Sequence, residues 1–98
     1  MAKYIITNKA VEDLEDIWLH TLELWSEQQA DKYYKTLIDH FKTISENPFI
    51  GKKYFQISPN LYGLKCNKHI VFYSILDDKQ VEIIRILNQR IDIKNRLK

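Results

Sequence analysis

The second half of the chain contains three short runs rich in β-branched and aromatic residues, separated by turn-forming residues. They comprise residues 61–66, 69–76 and 81–87. A strand with one face in water alternates apolar and polar residues. In the middle run, however, Ile70 and Phe72 point to one face while Val71 and Tyr73, also apolar, point to the other. Both faces of the predicted sheet therefore need a cover, and this requirement constrains the fold.

Two helices are predicted ahead of these strands. Asn8 is the expected N-cap of the first helix, and its apolar stripe comprises Val11, Leu14, Trp18, Leu22 and Trp25. We expect both tryptophans to lie in the core. Ser26 and Gln29 fit a capping box that starts a second helix immediately afterwards. Its stripe comprises Ala30, Tyr33, Tyr34, Leu37, Ile38, Phe41 and Ile44. The short connection predicts an antiparallel helical hairpin.

Turn and strand signals complete the expected order. Asn47-Pro48 ends the second helix, because the residue before proline avoids the α region. Residues 49–60 are predicted as a loop, and Asn67-Lys68 and Asp77-Asp78-Lys79 as hairpin turns. Residues 3–7 form a further β-prone run that must join the sheet. The prediction is one α+β domain spanning residues 1–98, β-α-α-β-β-β, with a helical hairpin packed on one face of an antiparallel sheet.

The uncovered face of this sheet predicts a partner. One helical hairpin forms one layer, so the other face must be covered by the tail after Leu87, by a second copy of the chain, or by another protein. Burial of even ~600 Å² of apolar surface there is worth roughly 15 kcal/mol before association costs. We therefore expect an obligate or near-obligate partner, with a homodimer among the alternatives.

Charge is distributed unevenly along the chain. Residues 1–48 carry 5 lysines against 9 acidic residues, a net charge of −4, whereas residues 49–98 carry 10 basic residues against 4 acidic ones, a net charge of +6. The basic half suits an acidic protein partner or a nucleic-acid phosphate backbone. A solvated lysine-rich surface is the plain alternative.

Several classes of protein are not expected from the sequence. Apolar runs long enough for a membrane span or a signal peptide are missing. A single cysteine, Cys66, fits a reducing cytoplasm, and its strand position predicts a small buried side chain. His20, His40 and His69 lack metal-ligand spacing, and a glycine-rich phosphate loop is missing, so neither a metal nor a cofactor is expected.

Arg85 lies in an otherwise apolar strand. Strict alternation puts Val81, Ile83, Arg85 and Leu87 on one face and Ile84 and Ile86 on the other. A charge on such a face is costly unless it is paired. Two interpretations stay open: a salt bridge to a helix carboxylate such as Asp13 or Asp16, or a contact with a carboxylate of a partner.

In order and spacing, segments of this chain resemble the ParE toxins of the RelE/ParE superfamily of bacterial toxin–antitoxin modules. The matching segments are 10–18, 29–34, 47–51, 63–65, 69–73 and 84–92. The resemblance extends from about Tyr4 to Ile93. It implies an intracellular toxin that poisons DNA gyrase by binding and that a cognate antitoxin silences by wrapping around it. Direct contact with nucleic acid is not required for this activity.

The resemblance also directs attention to particular side chains. Lys65 and Asn88 stand where members of the superfamily commonly carry Arg and His. Lys65 keeps the charge but loses the bidentate fork of Arg, and Asn88 cannot act as an acid or base. The expected partner-binding residues are Lys65, Tyr73, Arg85, Asn88 and Arg90.

The alternative function is that of the RelE branch, a ribosome-dependent mRNA endonuclease. Cleavage of RNA requires a proton acceptor, a proton donor and cations at the phosphate. Cations are available in the strand half, but only His69 titrates near neutral pH, and it lies at a predicted turn. Asn88 and Gln89 follow the last strand, where the nuclease branch usually has Tyr or His. The sequence therefore favours a protein that is not an enzyme.

The tail, residues 88–98, is basic and weakly amphipathic. Its charge and its position at the sheet edge predict that it contributes to the contact with the target. On this interpretation, deletion of residues 90–98 should leave the fold intact and abolish toxicity.

Overall fold

The computed structural model describes residues 3–77, 80–90 and residue 97. Strand β1 (Lys3–Ile6) leads into helices α1 (Asn8–Leu24) and α2 (Glu27–Glu46). The remaining elements are strands, namely β2 (Lys52–Lys53), β3 (Leu61–Cys66), β4 (His69–Asp77) and β5 (Gln80–Asn88). The predicted α+β class and element order are confirmed, with β2 as an additional short strand. Residues 78 and 79 of the second predicted turn, and residues 91–96 and 98 of the tail, lie outside the described residues.

The helix boundaries follow from their caps. Thr7, not the predicted Asn8, is the N-cap of α1: its Oγ1 accepts a hydrogen bond from the Ala10 amide at 3.1 Å. Ser26 caps α2 as predicted, because its Oγ accepts from the Gln29 amide at 3.1 Å. Helix α2 ends at Glu46, immediately before the predicted Asn47-Pro48 stop.

The five strands form one sheet in the order β1-β5-β4-β3-β2. The β2-β3, β3-β4 and β4-β5 pairs are antiparallel, as predicted for the meander. Strand β1 differs, because it pairs with β5 in parallel. The two helices and the rest of the meander separate β1 from β5 in sequence, so no hairpin turn imposes the antiparallel direction on this pair.

Both helices pack on one face of the sheet. Helix α2 contributes Leu37, Phe41 and Ile44 to this core, all at 0% exposure, as its predicted stripe requires. Helix α1 contributes Ala10 and Leu14, with Ile17 packed against them. Leu14 of the stripe predicted for α1 is therefore buried as expected, whereas Val11 is 40% exposed and Ala10 and Ile17 take part in the core. Trp18 is half-buried and Trp25 is 75% exposed, so the prediction that both tryptophans lie in the core is wrong.

A β-bulge in β5 changes which residues share a face. The register shifts between Phe72, opposite Arg85, and Tyr73, opposite Ile83, so Ile84 is the extra residue in β5. Val81, Ile83 and Ile86 consequently face the helices, whereas Ile84 and Leu87 contribute to the other face. Strict alternation placed Leu87 on the same face as Val81 and Ile83. Because of the bulge this prediction is wrong, and Leu87 lies on the opposite face.

The second face is covered by the chain itself. Leu61, Ile70, Phe72 and Leu87 form its core and are between 0% and 8% exposed. Tyr54 and Ile57 from the loop before β3 pack against them, and so does Leu97 from the tail. Of the three covers that the sequence left open, the tail contributes through Leu97, together with the loop before β3. The expectation that this face needs a partner to cover it is therefore wrong, and so is the argument for a homodimer that rested on it.

Gly63 allows the loop to approach the second face closely. The Tyr54 ring packs edge-on against Phe72, with ring centroids 5.1 Å apart. A Cβ at Gly63 would lie 2.7 Å from Cε2 of Tyr54 and 2.9 Å from Cγ2 of Ile70, which is too close for either ring or strand to remain in place. The loop that the sequence left without a role is thus the second layer of the core.

Candidate functional site

A cavity of about 580 Å³ opens where the helical hairpin meets the far end of the sheet. Four segments form it: the end of α1, the first turns of α2, the β3-β4 turn and the residues that end β5. Among its lining residues are His20, Trp25, Tyr33, Lys68, His69, Asn88 and Arg90. Two of the five predicted partner-binding residues, Asn88 and Arg90, therefore lie together at this cavity.

The β3-β4 turn sets the shape of the cavity floor. Asn67 has φ 55°, a left-handed conformation that asparagine tolerates, and it confirms the predicted Asn67-Lys68 hairpin turn. Beyond the turn, His69 pairs with Asn88, and the Gln89 amide donates to the Lys68 carbonyl at 2.9 Å. The first residue of β4 and the last residues of β5 are thereby held together as far as Gln89.

Asn88 turns the chain at the end of β5. Its Oδ1 accepts a hydrogen bond from the Arg90 amide at 2.9 Å, the local pattern of an Asx turn. The Asn88 side chain is thus engaged with its own backbone, and the exposed Arg90 follows at the cavity rim.

Tyr33 connects α2 to the same turn. Its hydroxyl lies 2.8 Å from Nδ1 of His69 and 3.1 Å from the Cys66 carbonyl oxygen. The hydroxyl has one proton; if it donates to Cys66, His69 must donate from Nδ1 and keep Nε2 as an acceptor. Burial raises the pKa of Tyr33 to about 12. Burial, with a smaller contribution from the charge of His20, lowers the pKa of His69, so both groups are neutral at pH 7.

The electrostatic character of the cavity is basic. Lys68 and Arg90 supply its permanent charges, and none of the described lining residues is acidic. Trp25 adds a large apolar surface at the rim, where it follows the last residue of α1. The cavity can accept a carboxylate-bearing, partly apolar group from another molecule.

The other three predicted partner-binding residues lie elsewhere. Lys65 is exposed on β3, opposite Ile70 in the β4 ladder. Tyr73 is 0% exposed, so a partner could not reach its side chain unless this region rearranged. Its hydroxyl donates to the Pro48 carbonyl at 2.7 Å and accepts from the Gly51 amide at 3.0 Å, which fastens the loop after α2 to the core.

Arg85 forms a salt bridge with Asp13, which is one of the two interpretations that the sequence left open. Its Nε and Nη2 lie 2.8 and 3.0 Å from the two carboxylate oxygens of Asp13. Asp13 also accepts the Ile86 amide at 3.0 Å, and Thr7 donates to the Ile84 carbonyl at 2.8 Å. The backbone groups flanking the bulge are thus satisfied by side chains from the start of α1. The hydrogen bond to Asp13 raises the pKa of Arg85.

Neither a metal site nor a membrane span is evident in the described residues. Their His, Cys, Asp and Glu side chains do not gather in any group of three that could ligate a metal ion. Cys66 is buried as predicted, with its Sγ 3.6 Å from Nδ1 of His40, and burial raises the pKa of its thiol. Neither α1 nor α2 has the length and apolar character of a membrane-crossing helix.

Comparison with known proteins identifies the family. Residues 4–93 match the family described as the ParE toxin of the type II toxin–antitoxin system parDE. This chain belongs to the ParE toxin family. The Toxin ParE1 of Caulobacter vibrioides is 30% identical over 97 residues, which cover 99% of each protein. The Toxin ParE1 of Mycobacterium tuberculosis is 29% identical over 96 residues, covering 98% of each.

A solved structure supports the same fold. The chain superimposes on a chain of the chromosomal ParDE toxin–antitoxin system from P. aeruginosa with a TM-score of 0.75. The match covers 90% of this chain and 95% of the other at 21% identity. The RelE-type endonuclease alternative receives no support, since the family model and these two relatives are ParE toxins.

Several cavity residues were not predicted as site residues. Tyr33 and Trp25 appeared in the sequence only as members of apolar stripes, and His20 only as a scattered histidine. A tryptophan immediately before the Ser26 cap is a signal that could have been used, because a residue between two helices lies at the end of the hairpin and not in its packed middle.

Proposed function

We propose that this ParE-family protein inhibits DNA gyrase by binding to it, without catalysing a reaction, and that a cognate antitoxin neutralises it in the cytoplasm. The family match over residues 4–93 is the observation that carries the proposal. Membership in a family of toxins from toxin–antitoxin systems supports an antitoxin as partner. Gyrase is the target that the family resemblance implies.

The charge of the cavity supports binding to an acidic surface. Lys68 and Arg90 line the cavity, and none of its described lining residues is acidic. A carboxylate from a target would therefore meet no like charge there. Trp25, 75% exposed, offers the kind of aromatic anchor that often dominates the energy of an interface.

The chemistry of the cavity supports a role without catalysis. Asn88 and Gln89, which end β5, carry amides that cannot exchange protons near neutral pH. The Tyr33 hydroxyl, with its pKa raised to about 12, is a poor proton donor at pH 7, and its bond to His69 occupies one of the two ring nitrogens. The residues that end β5 therefore supply neither the proton donor nor the proton acceptor that RNA cleavage needs.

The proposal is tested by measuring supercoiling of relaxed plasmid by purified gyrase with increasing amounts of this protein. In parallel, translating ribosomes with a defined mRNA are assayed for cleavage. We expect loss of supercoiling and no mRNA cleavage. Cleavage of the mRNA with unimpaired supercoiling would replace the proposal with the endonuclease alternative.

A matched pair of variants tests the cavity as the contact. Arg90→Glu reverses an exposed charge at the cavity rim, whereas Lys42→Glu reverses an exposed charge on α2 away from it. We expect Arg90→Glu to need at least tenfold more protein for half-inhibition, and Lys42→Glu to behave as the wild type. Equal potency of the two variants would remove Arg90 from the contact.

A further inference from the structure

A groove of about 680 Å³ lies between α1 and α2, and it shares no lining residue with the cavity described above. Both helices line it: α1 contributes Glu15, Trp18 and Leu19, and α2 contributes Asp31 and Tyr34. Four of these five residues are exposed, so the groove opens to solvent. We call these five residues the hairpin groove.

The hairpin groove combines apolar walls with negative charge. Trp18, Leu19 and Tyr34 supply the apolar surface, and Leu19 is 50% exposed. The indole Nε1 of Trp18 donates to Oδ1 of Asp31 at 2.9 Å, which fixes the ring in the groove. The carboxylates of Glu15 and Asp31 form no salt bridge within the part of the chain that the structure describes. The groove therefore suits an occupant that brings cations together with apolar side chains.

A second surface carries the opposite charge and lies at the edge of the sheet. Strand β2 forms this edge among the described residues, and it consists of the exposed Lys52 and Lys53. Phe49, Ile50 and Phe55 flank the two lysines, and Phe49 is 71% exposed. We call these five residues the edge patch. Aromatic residues so exposed beside cations are typical of an interaction surface.

The core beneath the edge patch holds it in shape. Phe49 and Phe55 both pack edge-on against Tyr62, with ring centroids 6.1 and 5.4 Å apart. Tyr62 in turn stacks on the buried Tyr73 at 5.5 Å. A surface that is ordered before binding loses little entropy when a partner arrives, which favours affinity.

The two surfaces lie too far apart to meet within one chain. The hairpin groove ends at Tyr34, and the rest of α2, as far as Glu46, extends about 18 Å at about 1.5 Å per residue before the edge patch begins. Phe49 and Phe55 are held against Tyr62 on the sheet, so they cannot reach the groove of their own chain. The occupant of the groove must come from another molecule.

A second copy of the chain carries what the groove requires. Residues 1–48 have a net charge of −4 and residues 49–98 a net charge of +6, so unlike charges meet when the helical half of one copy faces the strand half of another. Contacts between like surfaces are disfavoured, because two edge patches would bring lysines opposite lysines and two grooves would bring carboxylates opposite carboxylates. The charges therefore select a contact between groove and patch.

We propose that this protein self-associates head to tail, with the edge patch of one copy seated in the hairpin groove of another. The two lysines of the patch pair with Glu15 and Asp31, and its phenylalanine rings cover the aromatic and aliphatic walls of the groove. Both a closed ring and an open chain of copies use this contact. Because five residues on each side form a small interface, we expect a Kd on the order of 100 µM.

The first test measures the weight-average mass of the purified chain by sedimentation equilibrium, from about 1 µM to about 1 mM, a range that spans the expected Kd. We expect the mass to rise with concentration above 11.8 kDa, the mass of one copy, at low salt. High salt should reverse the rise, because it screens ion pairs between exposed groups. The mass of one copy at every concentration would overturn the proposal.

Charge-changing variants identify the two surfaces. Lys52→Glu/Lys53→Glu reverses the charge of the edge patch. Glu15→Lys/Asp31→Asn reverses the charge of the groove and keeps an oxygen that can accept the Trp18 indole. We expect each variant alone to raise the Kd of self-association at least tenfold. An equimolar mixture of the two should associate like the wild type, because the unaltered patch of one variant meets the unaltered groove of the other.

Matched controls make the same charge changes at exposed positions outside both surfaces. Lys9→Glu/Lys42→Glu is the control for the patch, and Glu23→Lys/Asp39→Asn is the control for the groove. Both controls should change the Kd less than twofold, and thermal melting of all four variants checks their folding. Equal weakening by variants and controls would assign the effect to net charge and overturn the proposal. A mixture of the patch and groove variants that fails to associate would overturn it as well.

The second test follows the two tryptophan indole N–H signals of ¹⁵N-labelled protein during dilution, with Trp25→Phe to assign them. Trp18 lies in the hairpin groove, whereas Trp25 lines the cavity at the end of α1. We expect the Trp18 signal and the Lys52 and Lys53 amides to shift with concentration, and the Trp25 signal to stay in place. A shift of the Trp25 signal without one at Trp18 would place the contact at the cavity and overturn the inference.

Discussion

The two faces of the sheet are covered in different ways. On one face, two long helices bring fully buried side chains such as Leu37 and Phe41 against the strands. On the other, a smaller cluster is covered by the loop before β3, which contributes Tyr54, and by Leu97 from the tail. The apolar pattern of the strands indicated that both faces are buried, but it did not indicate what covers each. A loop without periodic apolar residues can cover one face of a sheet, and this role becomes evident only from the position of the loop in the fold.

The largest expected effect is on the helix-covered face. Phe41→Ala removes a side chain at 0% exposure that packs edge-on against Tyr4, and we expect it to lower the free energy of unfolding by about 4 kcal/mol. Tyr54→Ala, on the loop-covered face, removes a half-exposed ring and should cost about 2 kcal/mol. Urea unfolding of both variants checks this order; a larger loss for Tyr54→Ala would reverse the comparison.

The second prediction concerns the contact between α1 and the bulge of β5. Asp13→Ala leaves Arg85 and the Ile86 amide without their acceptor, and we expect a loss of about 3 kcal/mol. Asp16→Ala removes an exposed carboxylate one turn further along and should change stability by less than about 0.5 kcal/mol. Similar melting of the two variants would mean that the salt bridge does not hold α1 to the sheet.

The third prediction concerns the residue that joins the helix-covered core to the loop. Tyr73→Phe removes the hydroxyl that bonds Pro48 and Gly51, and we expect it to cost about 2 kcal/mol. Hydrogen exchange at the Gly51 amide should accelerate in this variant. Tyr34→Phe, at an exposed ring, is the control and should alter neither quantity.

The smallest expected effect is a pH dependence at the cavity. Because burial lowers the pKa of His69 below its unfolded value near 6.5, the unfolded state binds protons more readily in that range. Stability should therefore fall as the pH drops through about 6.5, and be unaffected by this group above it. His69→Gln should flatten the slope between about pH 7 and 5 in urea unfolding, and His20→Gln should retain most of it. An unchanged slope in His69→Gln would assign the dependence to other groups.

The sequence predicted where the helices and strands lie better than it predicted which face of the sheet each residue occupies. Ser26, Asn47-Pro48 and Asn67-Lys68 set boundaries through local backbone chemistry, and each prediction was confirmed. The parallel direction of β1 and the pairing of β2 depend on contacts between distant segments, which periodicity does not encode. The bulge at Ile84 is held by Thr7, 77 residues before Ile84, and by Asp13, 73 residues before Ile86, and so Leu87 was assigned to the wrong face.

The candidate site was predicted only in part, for a similar reason. Asn88 and Arg90 lie in the segment that carries the family resemblance, at and after the end of the last predicted strand, and both line the cavity. Tyr73 was named within the resembling segment 69–73, and an apolar strand pattern gives no measure of how deeply a residue is buried; its side chain is fully buried. Leu97 packs against the second-face cluster, so deletion of residues 90–98 should disturb the fold, contrary to the expectation from the sequence. The single substitution Arg90→Glu is the cleaner probe of the target contact.

We propose that this protein acts by occupying its target and not by turnover. The most direct measurement is a titration of the protein against a fixed gyrase concentration well above the dissociation constant, with residual supercoiling as readout. We expect the supercoiling activity to fall in proportion to the protein added until a fixed stoichiometric ratio is reached. That ratio should not depend on how quickly inhibition sets in. Complete loss of activity at a small fraction of one equivalent, or full activity at a large excess, would contradict the account.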